Sequence, residues 1–230
     1  MRQAVFTDAV SRFEKNRHFR LVALGASNTE RYMPCLHWLD VLEVGLRCRF
    51  GRKFQIVNSG VCGNNTKEAL ARFDRDVALF QPTLVIVTLG GNDCNPDPGK
   101  YVPEAEFSAN LETIADRIAK LGAIGVFQTY YKMDLTAMEP ERARNFVRYM
   151  EIIRELAIRH AWYLVDHYKV FEKLPPEIHR YELMTDPMHT NEAGNLLIGV
   201  ELLRHFDVDP YRIGHAEKLF PALRLLESLK

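Results

Sequence analysis

Short apolar, β-branched runs alternate along this chain with longer segments in which apolar residues recur every three or four positions. The short runs lie at 20–24, 54–57, 84–89, 124–128 and 162–165, and each has the length and composition of a strand. The run at 84–89 is apolar nearly throughout, which is how a strand covered on both faces reads. Between the strands, Phe107, Leu111, Ile114, Ile118 and Leu121 form one stripe at helical spacing, and Phe146, Met150, Ile153 and Ala157 form another. Asn65, followed three residues on by Glu68, is a capping-box start for a helix over 66–80. Pro103 suits the first turn of the next helix. A further helix is expected over about 190–205 and a last one over about 215–229, where Leu219, Leu223 and Leu226 share a face. That last stripe either caps the sheet or pairs with a second copy of the chain, so a homo-oligomer stays open.

Strands alternating with helices imply an α/β fold, with a parallel sheet, right-handed crossovers and helices on both faces. The chain shows no internal repeat, low-complexity run or linker. Its 230 residues fit one domain over 1–230, with two domains as the alternative. In such sheets ligands bind at the carboxyl ends of the strands. The residues that follow each strand are therefore where the chemistry is sought.

Composition narrows the partners. Hydrophobic residues make up 47% and charged residues 26% of the chain, and 30 basic side chains balance 30 acidic ones. No global field steers such a chain to nucleic acid or to an anionic membrane. The densest basic stretch, Arg142, Arg144, Arg148 and Arg154, reads as the wet face of a helix. No segment reaches the ~18 to 20 apolar residues of a membrane span. The start, Met1-Arg2-Gln3, is followed by Asp8, Arg12, Glu14 and Lys15 and lacks the apolar core of a secretory signal. Cys35, Cys48, Cys62 and Cys94 form no C-x-x-C pair. They fit free thiols in a reducing cytoplasm, with a secreted precursor stripped of its signal as the alternative.

Four segments that follow strands or open the late helix carry candidate chemistry. Gly25-Ala26-Ser27-Asn28-Thr29 turns sharply off the first strand and leaves Ser27 at the edge of the sheet; alone, the serine also reads as a turn residue or cap. No G-x-S-x-G occurs, which excludes the nucleophile elbow. Asn58-Ser59-Gly60-Val61-Cys62-Gly63-Asn64 offers backbone that a ligand can approach, and the Gly63 amide can face a developing negative charge; the alternative is a flexible loop before a helix. Gly90-Gly91-Asn92-Asp93 puts a neutral side-chain donor, Asn92, at the mouth of a site, or else closes a loop with an Asx-turn. In Asp186-Pro187-Met188-His189 a carboxylate can reach the imidazole Nδ1–H within one loop, which leaves Nε2 to take a proton from a serine. The remaining histidines, His18, His37, His160, His167, His179, His205 and His215, are expected on the surface or on helix faces.

In this order the four segments resemble the SGNH, or GDSL-type, esterase and lipase family, over roughly residues 18–205. The resemblance implies a flavodoxin-like three-layer α/β/α sandwich with a central, mostly parallel five-stranded sheet. It also implies a serine hydrolase that cleaves carboxylic esters through an acyl-enzyme, with Ser27 as nucleophile and Asp186 and His189 as its catalytic pair. The oxyanion hole would comprise Ser27, Gly63 and Asn92, with Gly60 in place of Gly63 if the register slips by one turn. No metal or organic cofactor is implied. The usual Gly-Asp-Ser-Leu reads Gly25-Ala26-Ser27-Asn28 here. Without a long lid, short-chain or acetyl esters of a small molecule, lipid or sugar are the expected substrates. The walls would be the loops 94–102, 129–140 and 174–185. Tyr130, Tyr131, Met133 and Met138 either line that pocket or pack as a buried loop. Three alternatives stay open: an acyltransferase using the same triad, a catalytically silent ligand-binding module, and a thiol or metal site built from Cys62, Cys94 and His189.

Overall fold

The computed structural model describes residues 5–15, 18–31, 35–51, 54–214 and 216–229. Met1-Arg2-Gln3 and His215, named above, lie outside the described residues. The strands are β1 (Phe19–Gly25), β2 (Phe54–Gly60), β3 (Leu84–Thr88), β4 (Ile124–Gln128) and β5 (Tyr163–Val165), in the spatial order β2-β1-β3-β4-β5. β1 pairs in parallel with β3, β3 with β4 and β4 with β5; Leu21 lies opposite Leu84, and Leu84 opposite Ile124. Every residue of the central strand β3 is buried, which is why its sequence does not alternate. The expected α/β class and five-stranded sheet are borne out. β2 lies on one side of β1 and β3 on the other, so the strand order reverses between β1 and β3. The carboxyl ends of those two strands flank the switch point where open α/β sheets bind ligands.

The helices are α1 (Thr7–Lys15), α2 (Trp38–Phe50), α3 (Thr66–Ala71), α4 (Phe73–Asp76), α5 (Glu104–Lys120), α6 (Pro140–Arg159), α7 (His167–Glu172), α8 (Glu192–His205) and α9 (Phe220–Ser228). The expected helix over 66–80 is divided into α3, α4 and a 3-10 turn, Ala78–Phe80. Its capping box forms as read, since the Asn65 side chain accepts from the Glu68 N–H and the Glu68 carboxylate accepts from the Asn65 N–H. The break falls at Arg72, which ends α3 and opens α4. Pro103 stands just before α5 rather than within it, and Leu121 closes α5 and is 37% exposed, so it drops out of the stripe. The last segment is a 3-10 turn, Ala216–Leu219, followed by α9. Of the four arginines named above, all on α6, Arg144 is exposed and Arg142, Arg148 and Arg154 are half-buried. Arg154 forms a two-pronged ion pair with Asp166 at 2.8 and 3.0 Å, so this face is partly an ion-paired layer. α1, with Phe6 just before it, carries Ala9, Val10 and Phe13 at helical spacing, a stripe the sequence reading leaves unnamed, and α7 has only six residues in which to show one. α2 buries Trp38, Leu39, Val41, Leu42, Gly45 and Leu46 along one broad face, while the apolar Val44 outside it is 43% exposed.

Contacts within the chain group it into two compact units, each assembled from separated stretches. One comprises Met1–Phe19, Met33–Ile56 and Lys173–Lys230; the other comprises Arg20–Tyr32 and Val57–Glu172. In the first, α2 packs on α8 and α8 on α9, while Phe13 sits amid the rings of Phe19, Phe50, Phe54 and Phe206. In the second, α5 and α6 cover β4, and Phe107 of α5 meets Tyr149 of α6 with its ring tilted. Among the described residues no helix is long and apolar enough to cross a membrane.

Candidate active site

In the second unit, β1 runs into a tight turn. The Ala26 carbonyl accepts the N–H groups of Thr29 and Glu30, both at 2.9 Å. Ala26 is 1% exposed while Ser27 is half-buried, so the turn turns alanine inward and presents the serine at the end of the strand. Asn28 is also accounted for, because the Tyr131 hydroxyl donates to its Oδ1 at 2.7 Å. The loop after β4 is thereby tied to the serine turn.

The loop after β2 distinguishes its two glycines. The Gly60 N–H donates to Asn58 Oδ1 at 2.9 Å, and a Cβ on Gly60 would stand 2.1 Å from the Glu30 nitrogen. Glycine is needed there because the backbone after Ser27 presses directly on it. Gly63 has φ +76°, and among the described residues its N–H finds no hydrogen-bond acceptor. Its carbonyl is held by Lys100 Nζ at 2.9 Å. Of the two, Gly63 has an amide to offer.

The loop after β3 grips the same segment twice. Asn92 Nδ2 donates to the Asn64 carbonyl at 2.9 Å. Asp93 is 0% exposed, and its Oδ1 accepts from the Thr66 N–H at 2.8 Å and from the Thr66 hydroxyl at 2.6 Å. Among the described residues its Oδ2 has no hydrogen-bond partner. Burial pushes the Asp93 carboxyl up to about 6, against the opposing pull of the Thr66 hydrogen bonds.

In the first unit, Asp186 and His189 form the pair that their spacing implied. His189 Nδ1 lies 2.8 Å from Asp186 Oδ2 and 3.0 Å from Oδ1. Asp186 Oδ1 also accepts the N–H groups of Met188, at 2.7 Å, and of His189, at 2.9 Å. The Thr185 N–H closes the loop onto the His189 carbonyl at 2.8 Å, and Asn191 then caps α8 by accepting from the Gly194 N–H. Partial burial raises the Asp186 carboxyl, but the Met188 N–H, the His189 ring and its charge together hold it below the ordinary carboxylate range. With Nδ1 committed to the carboxylate, Nε2 is the ring nitrogen that can accept a proton.

Other expected residues fall elsewhere. Tyr130, Tyr131 and Met133 are buried, and Tyr130 meets Phe146 while Tyr131 meets Phe171, so they pack as a loop core instead of lining an open pocket. Cys94 is fully buried and burial pushes its thiol up to about 12, which makes it a poor nucleophile. His37, His167, His179 and His205 are buried rather than on the surface. His167 meets Gln128 at 2.7 Å and His205 stacks on Phe6, so both complete the interior. The reading of the sequence missed Arg72. Its buried guanidinium reaches the Gly25 carbonyl at 2.9 Å, the Ser59 carbonyl at 2.8 Å and Asn64 Oδ1 at 2.6 Å.

Residues 23–197 match the GDSL-like Lipase/Acylhydrolase family, a span that includes all four segments. An acetylxylan esterase of Geobacillus stearothermophilus is 23% identical over 168 residues, which cover 70% of this chain and 73% of that protein. The crystal structure of Axe2, an acetylxylan esterase from the same organism, superposes with a TM-score of 0.69 at 21% identity over 85% of this chain and 97% of that one. The lipase/acylhydrolase of Enterococcus faecalis superposes with a TM-score of 0.70 at 22% identity, over 85% of this chain and 97% of its own. These likenesses bear out the three-layer α/β fold. The chain belongs to the GDSL-like Lipase/Acylhydrolase family and is an ester-hydrolysing enzyme.

Proposed function

We propose that the protein is a serine esterase acting on acetyl or other short-chain esters through an acyl-enzyme. Ser27 Oγ attacks the ester carbonyl as His189 Nε2 takes its proton. Asp186 holds the imidazole in the required tautomer and stabilises its charged form. The tetrahedral oxyanion is met by the Ser27 and Gly63 amides and by the Asn92 side chain. His189 then gives its proton to the departing alcohol. The same imidazole draws a proton from water, which releases the acid and restores Ser27.

The observation that carries this reading is the Asp186–His189 pair, with both carboxylate oxygens within 3.0 Å of Nδ1. The uncommitted Gly63 amide supports it. The family match spans both compact units, which supports treating 1–230 as one domain. The acetylxylan esterase relative favours acetyl esters of sugars within the short-chain class. Cys48, Cys62 and Cys94 stand as free thiols, which supports a reducing compartment such as the cytoplasm.

A panel of p-nitrophenyl esters of rising chain length, run beside acetylated xylo-oligosaccharides, tests the substrate class. Acetate esters are expected to give the highest kcat/KM, with free acetate as product. A maximum at long acyl chains contradicts the assignment. Transfer of the acetyl group to an added sugar in preference to water indicates an acyltransferase.

A further inference from the structure

Arg72 sits at the joint between α3 and α4, and 8% of it is exposed. A guanidinium buried to that degree loses its hydration and persists only where its donors are matched. Asp76 provides one match, at 3.1 Å from Nη1. If neutralising Asp76 were the whole role of Arg72, its other donors would have no reason to converge elsewhere. They converge on one place. Nη2 reaches the carbonyl of Gly25, the last residue of β1; Nη1 reaches the carbonyl of Ser59, at the end of β2; and Nε reaches the side chain of Asn64.

Two of these acceptors, Gly25 and Asn64, lie within two residues of groups that the proposed reaction uses. The Gly25 carbonyl, which also accepts the Val61 N–H at 3.1 Å, lies two residues before Ser27. Asn64 follows Gly63 directly, and its own carbonyl holds Asn92 Nδ2 at 2.9 Å. One rigid planar fork therefore fixes the end of the serine strand, the loop of the glycine amide and the anchor of the asparagine amide. We infer that Arg72 is a positioning residue, setting the relative placement of the Ser27, Gly63 and Asn92 oxyanion donors through Gly25 and Asn64. It touches no substrate and transfers no proton. Its work is finished before the ester binds, because donors held in place need no reorganisation when charge develops.

This inference rests on the esterase reading above, so its test separates the two. Arg72→Lys keeps a positive charge beside Asp76 but has no planar fork. Asn64→Ala keeps the carbonyl that holds Asn92 but removes the acceptor of Nε. Both are assayed on p-nitrophenyl acetate well below their Tm, with folding checked by circular dichroism and Ser27→Ala run alongside. Misplacing the donors is expected to lower kcat by about 10- to 100-fold, with KM changed by less than about twofold. A purely structural role predicts a lower Tm with kcat per folded molecule within about twofold of wild type in both variants; that result, or a raised KM at unchanged kcat, overturns the inference. If Arg72→Lys fails to fold, Asn64→Ala decides alone. Wild-type turnover by Ser27→Ala would instead sink the esterase reading itself. An inactive Ser27→Ala beside fully active Arg72→Lys and Asn64→Ala sinks only the role of Arg72.

Discussion

The side-chain amide of Asn92 is bonded to the main-chain carbonyl of Asn64 at 2.9 Å. An amide nitrogen carries two hydrogens, so this bond fixes the plane of the group while using only one of them. The second is the one the proposed reaction would direct to an oxyanion. Asn92→Ala is therefore expected to lower kcat for p-nitrophenyl acetate by about 10²- to 10³-fold with little change in KM. A loss confined to KM would place Asn92 in ground-state binding instead.

Asp93 yields a pH signature. Its carboxyl titrates near ~3.9 in the unfolded chain, whereas burial raises it to about 6 in the fold. The folded state thus binds the proton more tightly. Stability from this group rises as pH falls from about 6 towards 4, and above 6 the buried charge costs about 3 kcal/mol. Asp93→Asn keeps an acceptor for Thr66 and carries no charge. The variant is expected to be the more stable form at pH 8, and its denaturant midpoint is expected to lose the wild-type slope between pH 4 and 7. A variant less stable at pH 8 than wild type, with the slope intact, contradicts this account.

The two glycines after β2 should behave differently. Alanine at Gly60 drives Cβ onto the Glu30 nitrogen, a backbone atom that cannot rotate away. Such overpacking typically costs about 1–3 kcal/mol or more, so Gly60→Ala is expected to melt markedly earlier. At Gly63 the nearest atom to a new Cβ is the flexible end of Lys100, at 3.5 Å, and the cost is confined to φ +76°, about 1–2 kcal/mol. Gly63→Ala keeps the N–H and should fold, and it should lose activity to the extent that leaving φ +76° displaces that amide. Thermal melts beside steady-state rates distinguish the two outcomes.

What was legible in the sequence was local. β3 declared itself because burial on both faces leaves Thr88 as its one polar residue. Asp186 and His189 declared themselves because only Pro187 and Met188 of one loop separate them, and the carboxylate cannot easily miss the ring. The supports of the site were not legible. Arg72 touches Gly25 from 47 residues away, and Asn92 touches Asn64 from 28. An arginine in a helical stretch that also carries Glu68, Asp74 and Arg75 looks solvated until the fold turns it inward. The same inward turn interrupts the helix that Asn65 begins. α2 was hidden for a different reason, since the exposed Val44 and the small Gly45 within the buried face blur its stripe.

Asp186→Asn probes the tautomer. The asparagine can present an N–H to Nδ1 where the carboxylate presented only acceptors. In a Ser-His-Asp site that change typically lowers kcat by about 10⁴-fold. The stability Asp186 contributes is present above its unfolded ~3.9 and is lost as pH falls through its depressed folded value. The wild type should therefore shed stability below pH ~4 that the variant never had. Melts of both proteins from pH 6 to 3 check the sign.

The most direct test of the central claim is intact-mass analysis after exposure to a fluorophosphonate, on wild type, Ser27→Ala and His189→Ala, paired with p-nitrophenyl acetate turnover. Wild type should gain one adduct, mapped to Ser27 on digestion, and turn over ester. Ser27→Ala should take up no adduct, and both variants should fall by about 10³-fold or more in kcat. Labelling at any other residue, or undiminished turnover by Ser27→Ala, would contradict the account.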